Sequence, residues 1–376
     1  MTIFQRTLLN LTLCLALAAT GFSAEHAKNV ILLLADAGGI PTLSAASLHG
    51  YDAPQKLYIQ SWPHIALSDT TAATSWVTDS ANGMTAIVTG VKTHNSVISQ
   101  GPDTVRGKKD GTPLKTILEY AEENGLSTGA ITNMPIADAT PAACYAHAND
   151  RAKWGEIFLQ AFSPRFGDGV DVLLGAGRKQ IYDQVTALGK NLDDIAREHK
   201  RPIYDSLAAI PADNLRPIAV LERAPSVPEA ARLAIKVLSK NKKGYFLMIE
   251  WDAHADNPQT GLDNIVNFDK LIREIASTVN LKDTLLLFTA DHSFDLRLVG
   301  GKPGQPILTG LDEWRKTHTS REEMIQIPAL HTGHDHTGEE VLAAAQGPGS
   351  DQVHGFLPNT QLFHIMMNAY GWKPKP

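Results

Sequence analysis

The sequence predicts an α/β protein with a doubly wound, mostly parallel sheet and helices on both faces. The first observation is a continuous aliphatic run at residues 30–35, which is typical of a strand buried on both faces of a parallel sheet. The second is that further apolar runs alternate with segments of helical periodicity, the βαβα order of this fold class. With 376 residues and 43% hydrophobic content, the chain is large enough to build such a core.

Capping residues predict where the helices begin and end. Thr112, followed by a proline, predicts the start of a helix that ends before Gly125. Ser226 and Glu229 have the spacing of a capping box, and they predict a helix that continues to about Leu238. Further strands are predicted at residues 126–131, 170–174, 245–250 and 284–289, and a further helix at residues 262–279.

The first 24 residues have the order of a secretory signal peptide. Arg6 precedes a largely apolar stretch at residues 8–19 that is too short to span a bilayer, and small residues follow up to Ala24. We therefore predict cleavage near Ala24 and a periplasmic or secreted protein, with no membrane association after cleavage. The net charge is −6 and the basic residues are scattered, which argues against a nucleic-acid partner.

Four metal-capable side chains lie at every second position after the apolar run at residues 245–249. They are Glu250, Asp252, His254 and Asp256. Alternate residues of an extended chain point the same way, so all four could face a single point. Three carboxylates and an imidazole on one face repel each other unless a positive charge lies among them. A solvated acidic loop is the alternative interpretation of this stretch taken alone.

Two other predicted strands also end in metal-capable residues. Asp36 follows the first strand, and Asp291 and His292 follow the strand at residues 284–289. Because open α/β sheets bind ligands beyond the carboxyl ends of their strands, these residues and a downstream loop with several histidines predict a metal site. Mixed carboxylate and imidazole ligands suit zinc, and a subset of oxygen ligands suits magnesium.

Ser80 lies at the start of a predicted helix, because apolar residues recur at helical spacing from Met84 onward. The simplest interpretation is a serine that caps the helix. A helix N-terminus also favours a phosphate group, however, and a serine next to a divalent cation could attack phosphorus. Both interpretations stay open on this segment alone.

Several motifs together resemble the alkaline phosphatase family. The resemblance extends from about Asn29 to Gly371, nearly the whole chain after the predicted signal peptide. The matching motifs are Val77-Thr78-Asp79-Ser80, Thr89-Gly90-Val91-Lys92-Thr93, Asp138-Ala139-Thr140-Pro141 with His147 and Arg151 downstream, Thr289-Ala290-Asp291-His292-Ser293, and His336-Thr337-Gly338.

The resemblance implies a role for each matching residue. Ser80 is the implied nucleophile, which forms a phosphoserine intermediate, and Arg151 is the implied phosphate ligand. Asp79, Asp138 and His147 are implied to support the site around them. The implied metals are two Zn²⁺ ions and one Mg²⁺ ion. The implied ligands are Asp36, Asp291 and His292 for one zinc, Asp252, His254 and His336 for the other, and Asp36, Thr140 and Glu250 for magnesium.

The stretch from Glu250 to Asp256 departs from the family pattern. Relatives place four residues between the magnesium glutamate and the zinc aspartate, whereas only Trp251 separates Glu250 from Asp252 here. Asp256 keeps the usual offset from Asp252, so it is the alternative to His254 as a zinc ligand. The chain is also short for the family, which predicts reduced peripheral insertions around a single catalytic domain at residues 25–376.

The resemblance implies hydrolysis of small-molecule phosphate monoesters and a possible homodimer. The alternatives are a phosphodiesterase or sulfatase of the same superfamily, or a homologue that binds phosphate or metal with impaired catalysis. Arg151 favours a dianionic monoester, because a diester offers fewer anionic oxygens to its planar guanidinium group.

Overall fold

The computed structural model describes residues 26–318, 320 and 323–373, so the predicted signal peptide lies outside the described residues. The described strands are β1 (Asn29–Asp36), β2 (His64–Ser68), β3 (Ser127–Pro135), β4 (Val172–Ala176), β5 (Ile203–Tyr204), β6 (Ile218–Val220), β7 (Tyr245–Asp252), β8 (Thr284–Thr289), β9 (Ser293–Leu298), β10 (Ile325–Gln326), β11 (Leu330–Thr337), β12 (Val341–Gln346) and β13 (Gly355–Leu357).

Ten of these strands form one sheet, in the order β13-β2-β12-β8-β1-β7-β3-β4-β6-β5. Only β12 runs antiparallel to its neighbours within the described sheet. Strands β10, β11 and β9 form a small antiparallel sheet of their own. The mostly parallel α/β sheet predicted from the apolar runs is therefore confirmed.

Helices cover both faces of the large sheet. The described helices are α1 (Ile40–Tyr51), α2 (Ser80–Thr89), α3 (Ile117–Glu123), α4 (Ala139–Tyr145), α5 (Trp154–Leu159), α6 (Arg178–Ala187), α7 (Leu192–Glu198), α8 (Val227–Leu238), α9 (Pro258–Thr278), α10 (Leu311–Thr317) and α11 (Thr360–Ala369). Within this described part of the chain, no helix combines the length and apolar character needed to cross a membrane.

The central strand β1 shows why its sequence is continuously apolar. Val30, Leu32 and Leu34 are fully buried in the core on one face, together with residues of α2, α4 and α11. Ile31 and Leu33 are fully buried in the core on the other face, with residues of α1, α8 and α9. Because both faces are covered, no position of this strand has to be polar before its carboxyl end.

The prediction that a helix begins near Thr112 was wrong. Helix α3 begins at Ile117, and the real cap is Thr116, whose Oγ1 accepts a hydrogen bond from Glu119 N at 3.1 Å. The Glu119 carboxylate accepts one from Thr116 N in return, which completes a capping box. The residues before the cap stay extended, because Leu114 N donates to the carbonyl oxygen of Ser99.

Candidate active site

The carboxyl ends of the central strands carry Asp36, Glu250 and Asp252, whereas Ser80 and Thr140 lie on helices and His336 lies on β11 of the small sheet. In the parallel register, Leu34 of β1 is opposite Glu250 of β7, and Asp36 is opposite Asp252. Strand β8, on the other side of β1, ends two residues before Asp291. Since the three strands are adjacent and parallel, their last residues meet at one edge of the sheet.

Ser80 is the first residue of α2, and it faces this edge. Its side chain is buried, and its Oγ lies 3.2 Å from Nε2 of His292. The helix can approach so closely because residue 83 is glycine: a methyl group there would lie 2.6 Å from the carbonyl oxygen of Asp291. The capping role of the segment falls to Asp79, which accepts a hydrogen bond from Asn82 N at 3.2 Å.

Three histidines direct their Nε2 atoms into the cluster. Nδ1 of His254 lies 2.6 Å from Asp252 Oδ1, Nδ1 of His336 lies 3.1 Å from the carbonyl oxygen of Thr78, and Nδ1 of His292 lies 3.0 Å from that of Ser293. An oxygen acceptor at each Nδ1 favours a proton on that nitrogen, so each ring, when it is neutral, presents its Nε2 lone pair to the cluster. The Nε2 atoms of His254 and His336 face each other at 3.4 Å, an arrangement that a shared cation would stabilise.

Four buried oxygen atoms at this edge complete no hydrogen bond among the described residues, although Nε2 of His292 lies 3.3 Å from the Asp36 oxygen and 3.6 Å from the Asp291 oxygen. They are Asp36 Oδ1, Thr140 Oγ1, Glu250 Oε2 and Asp291 Oδ2. A buried polar oxygen without a partner costs free energy, and a carboxylate oxygen costs more than a hydroxyl. All four belong to residues predicted as metal ligands, so the donor set fits divalent cations better than it fits an apolar core or a hydrogen-bonded network.

The carboxyl groups repel each other in the absence of a cation. Burial raises the pKa of Asp291 to about 6, and the charge of Asp36 contributes to the same shift. Burial and the charge of Asp36 also raise the pKa of Glu250 well above its ordinary value. Both shifts have the sign expected of anions crowded into a site of low dielectric constant.

The histidines respond to the same field. Burial opposes a charge on His254, but Asp36 and the hydrogen bond to Asp252 overcome this effect and raise its pKa to about 9. Burial and the neighbouring His292 lower the pKa of His336 to about 4. The cluster therefore attracts positive charge while keeping one imidazole neutral, as a metal ligand must be.

Among the described residues, two sets of side chains could each hold a metal ion, because their potential ligand atoms lie within 4.8 Å of one another. One set is Asp36, Asp291 and His292, and the other is His254, His292 and His336. The first set is the one implied for a zinc ion by the resemblance. Asp252, which the resemblance implies for the second zinc, belongs to neither set, and its Oδ1 contacts Nδ1 of His254 rather than the Nε2 that faces His336.

Arg151 lies close to the start of α2, half-buried between two carboxylates. Its Nη1 donates to Asp79 Oδ2 at 3.3 Å, and its Nη2 donates to Asp138 Oδ1 at 3.0 Å. Asp79 Oδ2 also accepts a hydrogen bond from Ser96 N at 2.8 Å. Asp79 thus links the start of α2 to Arg151, which fixes the guanidinium plane relative to Ser80.

The structure separates His254 from Asp256, the two alternatives that the sequence leaves open. His254 joins the cluster, whereas Asp256 is exposed, and its Oδ1 accepts a hydrogen bond from Asn257 N. The strand ends at Asp252, so the alternation of an extended chain does not continue as far as Asp256.

Replacing His254 by alanine is expected to weaken zinc binding at least about tenfold, because an Nε2 ligand is lost from the cluster. Replacing Asp256 by alanine is the matched control, and it is expected to keep zinc affinity within about twofold, since surface substitutions away from a site have small effects. Zinc content after dialysis against a graded chelator measures both. A larger loss in the Asp256 variant would reverse the assignment.

His147 does not bond to the cluster residues. Its Nδ1 lies 2.7 Å from the carbonyl oxygen of Ser99, and its Nε2 contacts Glu119 Oε1 at 3.0 Å and Arg165 Nη1 at 2.7 Å. These bonds join the loop before Arg151 to the cap of α3. Any effect of His147 on the site therefore passes through this loop.

The sequence analysis missed two asparagines that contact the backbone of Asp252. Asn133 Oδ1 accepts a hydrogen bond from Asp252 N, and Asn264 Nδ2 donates one to Asp252 O. Asn133 lies two residues beyond the predicted strand at residues 126–131, so inspection of polar residues at strand ends could have identified it. Asn264 lies in the middle of α9, where the sequence gives no comparable signal.

The chain was compared with known proteins. The family model described as alkaline phosphatase matches residues 27–209 and 190–327. The chain belongs to the alkaline phosphatase family. This membership makes it a phosphatase enzyme with a metal-binding site, and the resemblance based on the sequence motifs is confirmed.

Similar proteins match over nearly the whole chain. Alkaline phosphatase of Escherichia coli is 29% identical, over 93% of this chain and 88% of the relative. The tissue-nonspecific isozyme of Rattus norvegicus is 26% identical, over 97% of this chain and 87% of the relative. Among solved structures, alkaline phosphatase from the Antarctic bacterium TAB5 matches with a TM-score of 0.74 and 26% identity, over 94% of this chain and 100% of that chain.

Proposed function

We propose that this phosphatase hydrolyses phosphate monoesters through a phosphoserine intermediate on Ser80, at a site that holds two Zn²⁺ ions and one Mg²⁺ ion. The observation that carries this proposal is the set of four buried oxygens that complete no hydrogen bond at the sheet edge, where the Ser80 hydroxyl contacts His292. A variant of the TAB5 alkaline phosphatase has been solved with Mg bound, which agrees with an oxygen-rich subsite in this family.

The donor chemistry supports one assignment of the metals. Asp36, Asp291 and His292 would hold the zinc nearest to Ser80, and Asp252, His254 and His336 would hold the second zinc. Asp36, Thr140 and Glu250 offer only oxygen atoms, the ligand type that magnesium prefers. When bound, these cations supply charge stabilisation for the oxygens that attack and leave phosphorus.

The side chains of this protein then position the reaction. Ser80 Oγ gives up its proton and attacks phosphorus, the new P–O bond forms as the bond to the leaving oxygen breaks, and a proton from water converts that oxygen to the alcohol. Burial of Ser80 opposes a negative charge, but its position at the N-terminus of α2 favours the charge that accumulates on the phosphoryl group. Water then cleaves the phosphoserine, which releases inorganic phosphate and restores the hydroxyl.

Arg151 is proposed to bind two oxygens of the phosphoryl group with its planar fork. The carboxylates of Asp79 and Asp138 hold this fork in place before substrate arrives, so little side-chain entropy is lost on binding. Ala253 stands where relatives often carry a lysine, histidine or tryptophan, so this chain relies more heavily on Arg151 for phosphate contacts.

The proposal is tested by rates on a matched aryl phosphate monoester, phosphate diester and sulfate ester. The monoester is expected to have the highest kcat/KM. Arg151→Lys is expected to lower kcat/KM for the monoester about 10- to 100-fold, because one point charge replaces two charge-assisted hydrogen bonds. A higher kcat/KM for the diester or the sulfate would favour a different member of the superfamily. Zinc-loaded protein that binds phosphate without turnover would indicate an impaired homologue.

We further propose that residues 1–24 act as a signal peptide, that residues 25–376 form one catalytic domain in the periplasm or outside the cell, and that the chain forms a homodimer. The order of residues around Ala24 supports export. Asp36, Glu250 and Asp252 lie on neighbouring strands of the ten-stranded sheet, and His254 faces His336 of the three-stranded sheet at 3.4 Å, so both sheets contribute to one site, which supports a single domain.

A further inference from the structure

Strand β7 includes both Glu250 and Asp252, so only one residue separates these two proposed metal ligands. The strand continues to Asp252, which is paired with Asp36, and Ala253 N donates a further hydrogen bond to Asp36 O at 2.8 Å. On the side that faces β1, the backbone of residues 250–253 is therefore hydrogen-bonded as part of the sheet. Its other side needs a partner as well, because a buried backbone N–H or C=O without one is costly.

Strand β3 cannot supply that partner through its own backbone. Its ladder with β7 ends at the pair Ile131 and Ile249, and the register of β3 with β4 shifts over the next residues. The Asn133 side chain takes over at this point, since its Oδ1 accepts a hydrogen bond from Asp252 N at 2.9 Å. An amide oxygen thus substitutes for the backbone carbonyl that the ladder no longer offers.

Helix α9 supplies the partner for the other polar group of the same residue. Asn264 Nδ2 donates to Asp252 O at 2.8 Å. The helix reaches this position because Gly261, one turn earlier, packs against the backbone of His254, where a side chain would overlap the carbonyl group. The peptide groups on both sides of the Asp252 Cα atom are therefore held by side-chain amides from two different elements.

We propose that Asn133 and Asn264 form an amide clamp that positions Asp252, and through it His254, for metal binding in this shortened stretch. The link to His254 is direct, because Asp252 Oδ1 contacts both the backbone N and the ring Nδ1 of His254, at 3.3 Å and 2.6 Å. This inference rests on the proposed function, in which Asp252 and His254 serve one zinc ion. Partners that orient metal ligands in this way typically contribute about 10- to 100-fold to metal affinity.

The two amides have opposite hydrogen-bonding roles, which gives a sharp test. Asn133→Asp keeps the oxygen that accepts from Asp252 N, whereas Asn133→Leu removes it at similar volume. Asn264→Asp replaces the donor by an oxygen that faces the Asp252 carbonyl, so two acceptors repel. Asn267→Asp is the control for added charge, because Asn267 lines the same open cleft of about 560 Å³ as both clamp residues and has no bond to Asp252 among the described contacts.

The measurement is the dissociation constant of each bound zinc, obtained by stepwise competition with a chelator on the full-length protein, and the variants are compared for the zinc whose binding Asp252→Ala weakens. We expect Asn264→Asp and Asn133→Leu to weaken zinc binding about 10- to 100-fold. Asn133→Asp is expected to rescue most of the loss seen with Asn133→Leu, and Asn267→Asp to change affinity less than about threefold. If Asn264→Asp does not fold, the two variants of Asn133 still decide the question.

Equal affinities for Asn133→Leu and Asn133→Asp would overturn the clamp, since a role in packing alone does not depend on the acceptor oxygen. An Asp252→Ala variant separates this failure from that of the proposed function. If Asp252→Ala loses zinc but the clamp variants do not, only the clamp is wrong. If Asp252→Ala binds zinc like the wild type, the assignment of Asp252 to the metal site is wrong as well.

Discussion

Replacing Ser80 by alanine is expected to lower kcat for aryl phosphate hydrolysis about a thousandfold or more, because it removes the oxygen that accepts the phosphoryl group in the proposed reaction. The Ser80 hydroxyl is buried at the start of α2, 3.2 Å from the Nε2 of His292. Alanine removes the hydroxyl without disturbing the cap of the helix, which Asp79 provides. The measurement is steady-state kcat together with the rapid first turnover of phenol release.

Ser75→Ala is the matched control for this variant. Ser75 lies in the loop that leads to Ser80, and its hydroxyl accepts a hydrogen bond from Val77 N at 3.3 Å at an exposed position. Its loss is expected to change kcat less than about twofold. A Ser80→Ala protein that keeps a rapid first turnover and normal kcat would show that the nucleophile is another group.

Removing bound metal is expected to abolish turnover and to lower the free energy of unfolding. Without cations, Asp36, Glu250 and Asp291 remain buried with oxygens that complete no hydrogen bond among the described residues. Metal binding to the native state stabilises it by about 2.7 kcal/mol per site when the free cation is a hundredfold above its Kd. Chelation should therefore lower the unfolding midpoint, and Zn²⁺ with Mg²⁺ should restore both activity and stability.

Adding zinc and magnesium separately to the metal-free protein distinguishes the proposed zinc sites from the proposed magnesium site. Zinc alone is expected to restore a part of the activity, and magnesium alone is expected to restore very little. Among the described hydrogen bonds, the Ser80 hydroxyl bonds to His292, which belongs to the implied zinc ligands, and to none of the implied magnesium ligands. The Glu250→Gln variant serves as the control, because it weakens the oxygen-only set and leaves the three histidines unchanged. Full activity and an unchanged unfolding midpoint in metal-free protein would contradict the account.

The sequence predicts the strands that build the site more accurately than the loops that complete it. Residues 30–35 and 284–289 are fully covered on both faces, so their apolar runs are unbroken and the polar residues after them mark the edge of the sheet. The start of α3 was misplaced because both Thr112 and Thr116 have the composition of a cap. Only the contacts of residues 113–114 with the neighbouring loop decide between them.

Residues 250–256 show why spacing in the sequence alone does not identify the metal ligands. Alternation predicts that Glu250, Asp252, His254 and Asp256 can face one point, and this holds only as far as the chain stays close to extended. Strand β7 ends at Asp252, and α9 begins at Pro258, so the chain must turn between them. The turn exposes Asp256. Asp252, where the strand ends, has contacts with Asn133 and Asn264, which are 119 and 12 residues away from it in the sequence.

The central claim is that Ser80 carries the phosphoryl group during turnover. The most direct measurement is rapid acid quenching of the zinc- and magnesium-loaded protein during hydrolysis of a phosphate monoester, followed by mass spectrometry of the peptide that contains residues 77–84. The account predicts a phosphate on Ser80 that appears within one turnover and is absent from metal-free protein. Sustained turnover with no phosphate on Ser80, or with phosphate on a different residue, would contradict it.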